Sequence, residues 1–155
     1  MRKLDSIDQH ILAVLQSDAR SPINAVGEQV GLSASACSRR LGQLEREGFI
    51  QGYYAMLHPS LLKMDMVAIV LVTLQSQSEA CLAKFERAIS GCDQVISCDL
   101  MSGSVDYSVR IAVHDLKDYE RLHREVLSVL PGVTRIESNF VLRGVINRRQ
   151  PILNR

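Results

Sequence analysis

Two helix signals in this chain stand only two residues apart, and that spacing constrains the fold more than any other feature. Ser21-Pro22 begins the first helix, since Ser can cap and Pro is tolerated at a first helical position. Val26 and Val30 mark its buried side. Gly31 ends it, because glycine takes the left-handed conformation of a helix end cheaply. Ser33 then caps the next helix, which Gly48 ends. Only Gly31-Leu32 lies between, so the chain must turn sharply, with Leu32 placed to plug the gap. The arrangement expected is a helix-turn-helix. A helix ahead of it starts after Leu4, where Asp5 and Asp8 have the spacing of a capping box with Asp in place of the usual Glu. Ile7, Ile11, Leu12 and Leu15 then follow at helical intervals.

The last of these helices has two unlike sides. At about 100° per residue, Cys37, Leu41, Leu44 and Gly48 cluster on one. Ser35, Ser38, Arg39, Gly42, Gln43 and Arg46 face the other way, and no acid occurs between Ser33 and Leu44. Small residues permit close approach. Arg can contact guanine through two hydrogen bonds, Gln can contact adenine, and Ser can bond to bases or phosphate. That is the chemistry a helix needs in the major groove of DNA. A solvated face on an ordinary helix is the plain alternative, and the preceding helix, tight turn and caps favour the groove. Arg40 lies on the flank, where it either contacts phosphate or braces the domain against an acid.

Phe49 to Leu57 carries aromatic and branched residues that suit a strand or a wing, and His58-Pro59-Ser60 reads as a linker. Helical periods give way there to strand periods. Met66 to Leu74 reads as a strand and Ser78 to Ser90 as a helix with Leu82, Phe85, Ala88 and Ile89 on one side. Val95 to Met101 and Val105 to Val113 read as strands around a turn at Ser102-Gly103-Ser104. Asp115 caps a helix with Asp118 three residues on. Its stripe is Leu116, Tyr119, Leu122, His123, Val126, Leu127 and Leu130, and Pro131-Gly132 stops it. Thr134 to Ile146 closes as a strand. Strand-helix-strand repeated twice is the split β-α-β, or ferredoxin-like, order. Right-handed crossovers then give an antiparallel sheet with both helices on one face. Alternation puts Val141, Val145, Arg135 and Arg143 on the other face, and a half-apolar open face invites another subunit.

The hairpin Met101-Ser102-Gly103-Ser104-Val105-Asp106-Tyr107 has two readings. One is a simple turn with Gly103 present for its backbone freedom. The other is a ligand loop, in which N–H groups near Gly103 bind a carboxylate and Asp106 binds an ammonium. An amino acid carries both groups.

Composition narrows the class. The 155 residues are 46% hydrophobic and 23% charged, with a net charge of +1, as in ordinary globular domains. This argues against a broad nucleic-acid-coating surface but not a local one. No apolar run nears the roughly 18 residues of a membrane span, and Met1 to Asp5 has no apolar signal core. Cys37, Cys81, Cys92 and Cys98 lack metal or disulfide spacing, which fits a reducing cytoplasm. Cys98 with His114 lacks the orienting group that nucleophilic catalysis needs. His10, His58, His114 and His123 show no metal-ligand spacing. The acid-free tail with Arg143, Arg148, Arg149 and Arg155 reads as a solvated end, or as a contact to DNA phosphate or a neighbouring subunit.

Taken together these stretches resemble the leucine-responsive and asparagine-synthesis regulator (Lrp/AsnC) family of bacterial and archaeal transcription regulators, over nearly the whole chain. "LDSIDQHILAVLQSDARSP" is similar to the family's first helix. "VGLSASACSRRLGQLEREGFIQGYYAMLHP" is the most specific piece, with Gly-Leu-Ser-x-Ser, Arg40, Leu44-Glu45 and Gly48-x-Ile50 at family spacing. "MSGSVDYSVRIAVHDLKDYE" resembles the hairpin and helix start of its amino-acid-sensing domain, and "LPGVTRIESNFVLRGV" its last strand. Three places depart. Leu62-Lys63-Met64 stands where the family commonly has a glycine, Cys37 replaces a branched aliphatic, and Ser104-Val105 replaces an acidic or aromatic residue.

The resemblance implies an α+β protein in two parts. A winged helix-turn-helix DNA-binding domain spans 1–57, a linker 58–65, and a ferredoxin-like βαββαβ (ACT-like) effector and oligomerisation domain 66–155. It implies dimers through the open sheet face, further assembly, often to octamers, and an amino-acid effector bound between dimers. The effector site falls on Met101, Ser102, Gly103, Ser104 and Asp106, with Ser138 on the last strand. Ser35, Ser38, Arg39 and Gln43 are the expected base readers, and Ser33, Arg46 and Arg40 the expected phosphate contacts. The expected partners are double-stranded DNA, further copies of the chain and the effector, with no cofactor, metal or membrane. The expected setting is a prokaryotic cytoplasm, at the nucleoid. The rival readings are an amino-acid-binding regulatory subunit of a metabolic enzyme and a small enzyme using Cys98 or His114.

Overall fold

The computed structural model describes residues 2–146. Of these, residues 2–56 and Ile146 fall in one compact unit and Leu57–Val145 in a second.

The first unit holds three helices, α1 (Ser6–Ser17), α2 (Ile23–Val30) and α3 (Ala34–Arg46). The capping box forms at α1: Asp8 N–H donates to Asp5 Oδ1 at 2.8 Å, and Asp5 N–H reaches Asp8 Oδ2 at 3.4 Å. Ser21 does not cap α2. Its hydroxyl donates to Asp18 Oδ2 at 3.1 Å, and Pro22 occupies the cap position. Gly31 ends α2 at φ 72°, and Ser33 caps α3 by accepting from Ala36 N–H at 3.3 Å. The core is Ile11, Val14, Leu15, Val26, Cys37 and Leu44, with Leu32 packed against it in the turn.

A close backbone approach makes that turn possible. Leu32 N–H donates to the Gly27 carbonyl at 2.8 Å, and a Cβ at Gly27 would lie 2.7 Å from the Leu32 carbonyl oxygen. A side chain at 27 would therefore force α2 away from the start of α3.

No strand or wing forms at Phe49 to Leu57 among the described residues. Residues 51–58 are irregular and exposed. Among the described residues of the unit no extended segment lies beside it to form a ladder, and without such a partner its aromatic and branched residues do not make a strand. Tyr53 is tied back to α3, donating to Glu45 Oε1 at 2.8 Å, and burial followed by that carboxylate pushes its phenol up to about 12.

The second unit opens with a short helix, α4 (Pro59–Leu62), inside the expected linker. Next, Lys63 takes φ 51°, in the left-handed region. Then come β1 (Met66–Leu74), α5 (Glu79–Ile89), β2 (Val95–Leu100), β3 (Tyr107–Val113), α6 (Leu116–Glu125), a 3₁₀ turn (Leu127–Val129) and β4 (Val133–Phe140). The described strands form a four-stranded sheet in the order β2-β3-β1-β4, every neighbouring pair antiparallel. That is the ferredoxin-like arrangement expected from the element order. Its core lies between the sheet and the helices: Ala68, Val70, Val72, Val109 and Ile111 against Phe85, Ile89, Tyr119 and Leu122. Leu116, placed on the α6 stripe by periodicity, is exposed instead.

On the opposite face, Val67, Ile69 and Leu71 are half-buried, and the register sets Ser108, Arg110 and Asn139 beside them. The last strand ends at Phe140 rather than Ile146. It is an edge strand paired only with β1, and β1 begins at Met66, so the ladder runs out after Val141 N–H donates to the Val67 carbonyl at 2.8 Å. Val145 therefore lies beyond the sheet. Arg148, Arg149 and Arg155 lie outside the described residues. No described helix is long and apolar enough to cross a membrane.

Candidate functional site

The helix α3 separates its sides as its periodicity requires. Cys37 and Leu44 are fully buried, while Ser33, Ser35, Ser38, Arg39 and Arg46 are exposed on the other side. Ser33 and Ser35 hydroxyls lie 3.2 Å apart at its start. Arg46 folds along the helix over Gly42, where a Cβ would lie 3.3 Å from its Nη1. Arg39 makes no ion pair among the described residues. The result is a convex strip of hydroxyls, a glycine and guanidiniums with no acid in the first turn of the helix.

Arg40 lies half-buried on the flank and is engaged within the protein. Its Nη1 donates to Asp5 Oδ2 at 2.7 Å and to Asp8 Oδ1 at 2.8 Å. Of the two alternatives open for Arg40, this geometry is the brace. Asp8 is fully buried, and its other oxygen accepts from Arg2 Nη1 at 2.6 Å. Arg2 Nε in turn donates to Glu47 Oε2 at 3.0 Å, and Glu47 Oε1 accepts from Gln43 Nε2 at 2.8 Å. One buried carboxylate thus holds the middle of α3 through Arg40 and its end through Arg2 and Glu47. The Asp8 backbone N–H, then the Arg40 guanidinium, hold the Asp5 carboxyl below the ordinary aspartate range. Gln43 and Arg2 do the same for Glu47. Sequence reasoning read Asp8 as a cap alone and missed Arg2 and Glu47, because partners 45 residues apart leave no local signal.

In the second unit the hairpin between β2 and β3 leaves Met101, Ser102, Gly103 and Ser104 exposed. Asp106 is different. It is 4% exposed, and both carboxylate oxygens are engaged inside the fold. Oδ2 accepts from Leu74 N–H and Oδ1 from Gln77 Nε2, each at 2.7 Å. Asp106 therefore fastens the base of the hairpin to the end of β1, and an ammonium would have to share oxygens already in use. Gln77 was not foreseen, since it gains meaning only through this contact. Ser138 is paired with Val70 across the sheet and so lies on the helix side, where its hydroxyl shares a short hydrogen bond with Tyr119 Oη. Register separates it from the open face. A cleft of about 290 Å³ lies between the end of β1, the start of α5 and Gly132, lined by Gln75, Ser76, Ser78, Cys81 and Lys84.

The catalytic alternatives gain nothing. Cys98 packs against the core of the second unit, and burial, with Asp99 and Glu86 nearby, pushes its thiol up to about 11. A thiol so shifted is a poor nucleophile near neutrality. Among the described residues no group of three or more His, Cys, Asp or Glu could hold a metal ion.

Comparison with known proteins agrees with this geometry. The family model described as the AsnC-type helix-turn-helix domain matches residues 4–45, and that of the Lrp/AsnC ligand binding domain matches 67–151. The Bkd operon transcriptional regulator of Pseudomonas aeruginosa is 40% identical over 153 residues, covering 99% of this chain and 100% of that one. The leucine-responsive regulatory protein of Escherichia coli is 36% identical over 144 residues, 93% of this chain and 88% of that one. Among solved structures, a transcriptional regulator from Neisseria meningitidis in complex with L-Met superposes with a TM-score of 0.91 at 30% identity, covering 98% of both chains.

Proposed function

The chain belongs to the Lrp/AsnC family of transcription regulators, and from that premise we propose how this DNA-binding regulator divides its work. Residues 1–57 bind DNA, 58–65 link, and 66–155 sense an effector and assemble the oligomer. On α3, Ser35, Ser38, Arg39 and Gln43 read base edges in the major groove, and Ser33 and Arg46 contact phosphate. Arg40 serves as the brace. The observation that carries this reading is the exposed strip of α3, with no acid in its first turn, held on a buried carboxylate.

The effector is an amino acid, an assignment supported by the L-Met bound to the Neisseria relative. It binds at the exposed backbone of Met101 to Ser104, with Asp106 setting the shape of the loop. The site is open on a single copy, which favours completion by another copy. Ser138, opposite Val70 in the middle of the sheet and bonded to Tyr119, makes no direct contact with the effector in this reading. Homodimers form through the open sheet face around Ile69 and Leu71, and dimers associate further, in the cytoplasm at the nucleoid. The effector then acts by favouring one assembly state and so the spacing of the DNA-reading heads. Coupling of about 1–3 kcal/mol is typical of such linkage.

The test is DNA binding by Arg39→Ala. If Arg39 is bidentate to guanine, the substitution costs about 1–3 kcal/mol and relaxes preference at one base pair. Unchanged affinity and preference would remove Arg39 from the reading set. Protected half-sites should lie about 10 base pairs, or a multiple, apart. Sedimentation against a panel of amino acids tests the effector, and no shift in assembly or DNA affinity with any of them would overturn the gating.

A further inference from the structure

We propose that Glu47, gripped by Arg2, is the positioning residue for Gln43, and that it gives the DNA-reading helix an adenine-selective contact near its C-terminal end. The inference rests on the reading of α3 as the base-reading helix.

Gln43 and Glu47 are one helical turn apart, the spacing at which side chains on a helix meet. Gln43 Nε2 donates to Glu47 Oε1 at 2.8 Å. A glutamine amide has a donor end and an acceptor end, while a carboxylate only accepts. Glu47 can therefore hold the amide by its NH₂ end alone, because the flipped amide would set oxygen against oxygen. With one N–H engaged, Gln43 keeps its carbonyl oxygen and its second N–H. An acceptor beside a donor is the pattern complementary to adenine, whose N6 donates and whose N7 accepts. An untethered amide has no such fixed orientation and must lose rotamer freedom on binding.

Glu47 is itself held. Its Oε2 accepts from Arg2 Nε at 3.0 Å, and Arg2 Nη1 reaches the fully buried Asp8 at 2.6 Å. A line of contacts thus runs from the core of the unit through Asp8, Arg2 and Glu47 to Gln43. The Arg2 guanidinium also offsets a negative charge that would otherwise stand beside DNA phosphates.

The experiment is selection by the full-length protein from randomised duplex DNA, followed by affinity measurements on single-base variants of the selected duplex. The wild type should select adenine at one position of each half-site, and Gln43→Ala should flatten that position. Glu47→Ala should flatten the same position, with discrimination falling about tenfold, and the double variant should be no worse than either single one. Glu47→Gln should lose discrimination at that position too, because its amide can donate to the Gln43 carbonyl as well as accept and no longer excludes the flipped orientation, a loss confined to one base position that a merely structural role would not give. If Glu47→Ala does not fold, Glu47→Met, which keeps the aliphatic stem and loses the acceptor, carries the same expectation. Adenine preference that survives in a folded Glu47→Ala or Glu47→Met would overturn the proposal. So would a Gln43→Ala variant that changes no position, or one that changes a position where the wild type prefers another base. A wild-type protein that selects no sequence would instead overturn the reading of α3 itself.

Discussion

Arg40 on α3 donates to the wholly buried carboxylate of Asp8 on α1 at 2.8 Å, across 32 residues of chain. The contact decides what each residue is for. Asp8 has one oxygen for Arg40 and one for Arg2, and among the described residues no buried side-chain nitrogen or oxygen lacks a hydrogen-bond partner. A guanidinium engaged in this way holds α3 at a set angle to α1.

Asp8→Ala should destabilise the protein by about 3 kcal/mol, toward the low end for a broken buried pair because both guanidiniums still reach solvent. Urea unfolding followed by helical circular dichroism measures it. A change below about 0.5 kcal/mol, the scale of an ordinary surface substitution, would contradict the brace.

The same network sets a pH dependence. The folded-state carboxyls of Asp5 and Glu47 lie below their ordinary values of 3.8 and 4.5. Stability from a depressed carboxyl is present above its unfolded pKa and is lost as pH falls through the folded one. The urea midpoint should hold steady from neutrality to about pH 5 and then decline. Asp5→Asn should reduce the acid-side decline, and an identical acid profile in that variant would show that Asp5 contributes nothing to it.

Gly27→Ala places a methyl group 2.7 Å from the Leu32 carbonyl oxygen, which is backbone and cannot swing aside. Overpacking of this kind costs about 1–3 kcal/mol. DNA affinity should fall with it, as the angle between α2 and α3 changes. A variant with wild-type stability and affinity would mean that the turn has slack the geometry does not show.

Asp106→Ala leaves the buried Leu74 N–H without its acceptor, at a cost of about 1–3 kcal/mol. The hairpin at Met101 to Ser104 should loosen, so the response to the effector should weaken more than DNA binding without it. Hydrogen exchange across residues 100–107, with binding assays in the presence and absence of the effector, separates the two. Equal losses in both would assign Asp106 to folding alone.

Lys63→Gly should stabilise the second unit by about 0.5–1 kcal/mol, because the φ of 51° at Lys63 costs a residue with a Cβ about 1–2 kcal/mol. Part of that gain is returned through the greater freedom of glycine in the unfolded chain. Thermal melting reads the difference, and a lower melting temperature would show that the lysine side chain contributes more than its backbone costs.

Much of the architecture was legible because its causes are local. The caps at Asp5, Ser33 and Asp115 all form. Each depends on a side chain meeting a backbone N–H three residues away. Gly31 sits at the left-handed helix end, and the exposed strip from Ser33 to Arg46 follows from helical periodicity alone. Failures came where a residue's state depended on a distant neighbour. Phe49 to Leu57 has strand-forming residues but no strand partner among the described residues of its unit. Likewise, β4 stops at Phe140 because β1 has ended. Ser21 had an acid nearby, Asp18, that took its hydroxyl away from the helix start.

Residue order by itself determined the class of the protein: three helices with a two-residue turn, a strand-helix-strand repeat, and a small, basic helix face with no acid between Ser33 and Leu44. These are encoded in spacings of two, three and four residues, within reach of a side chain and its own backbone. Only the tertiary structure decided which polar residues were left available. It engaged Arg40, Arg2 and Asp106 inside the fold and left Arg39 and Ser102 outside it. An arginine or a carboxylate looks the same in the sequence whether it meets a buried partner or water. Which one it meets is set by packing between segments tens of residues apart, where desolvation makes an unpaired charge costly and a paired one fixed.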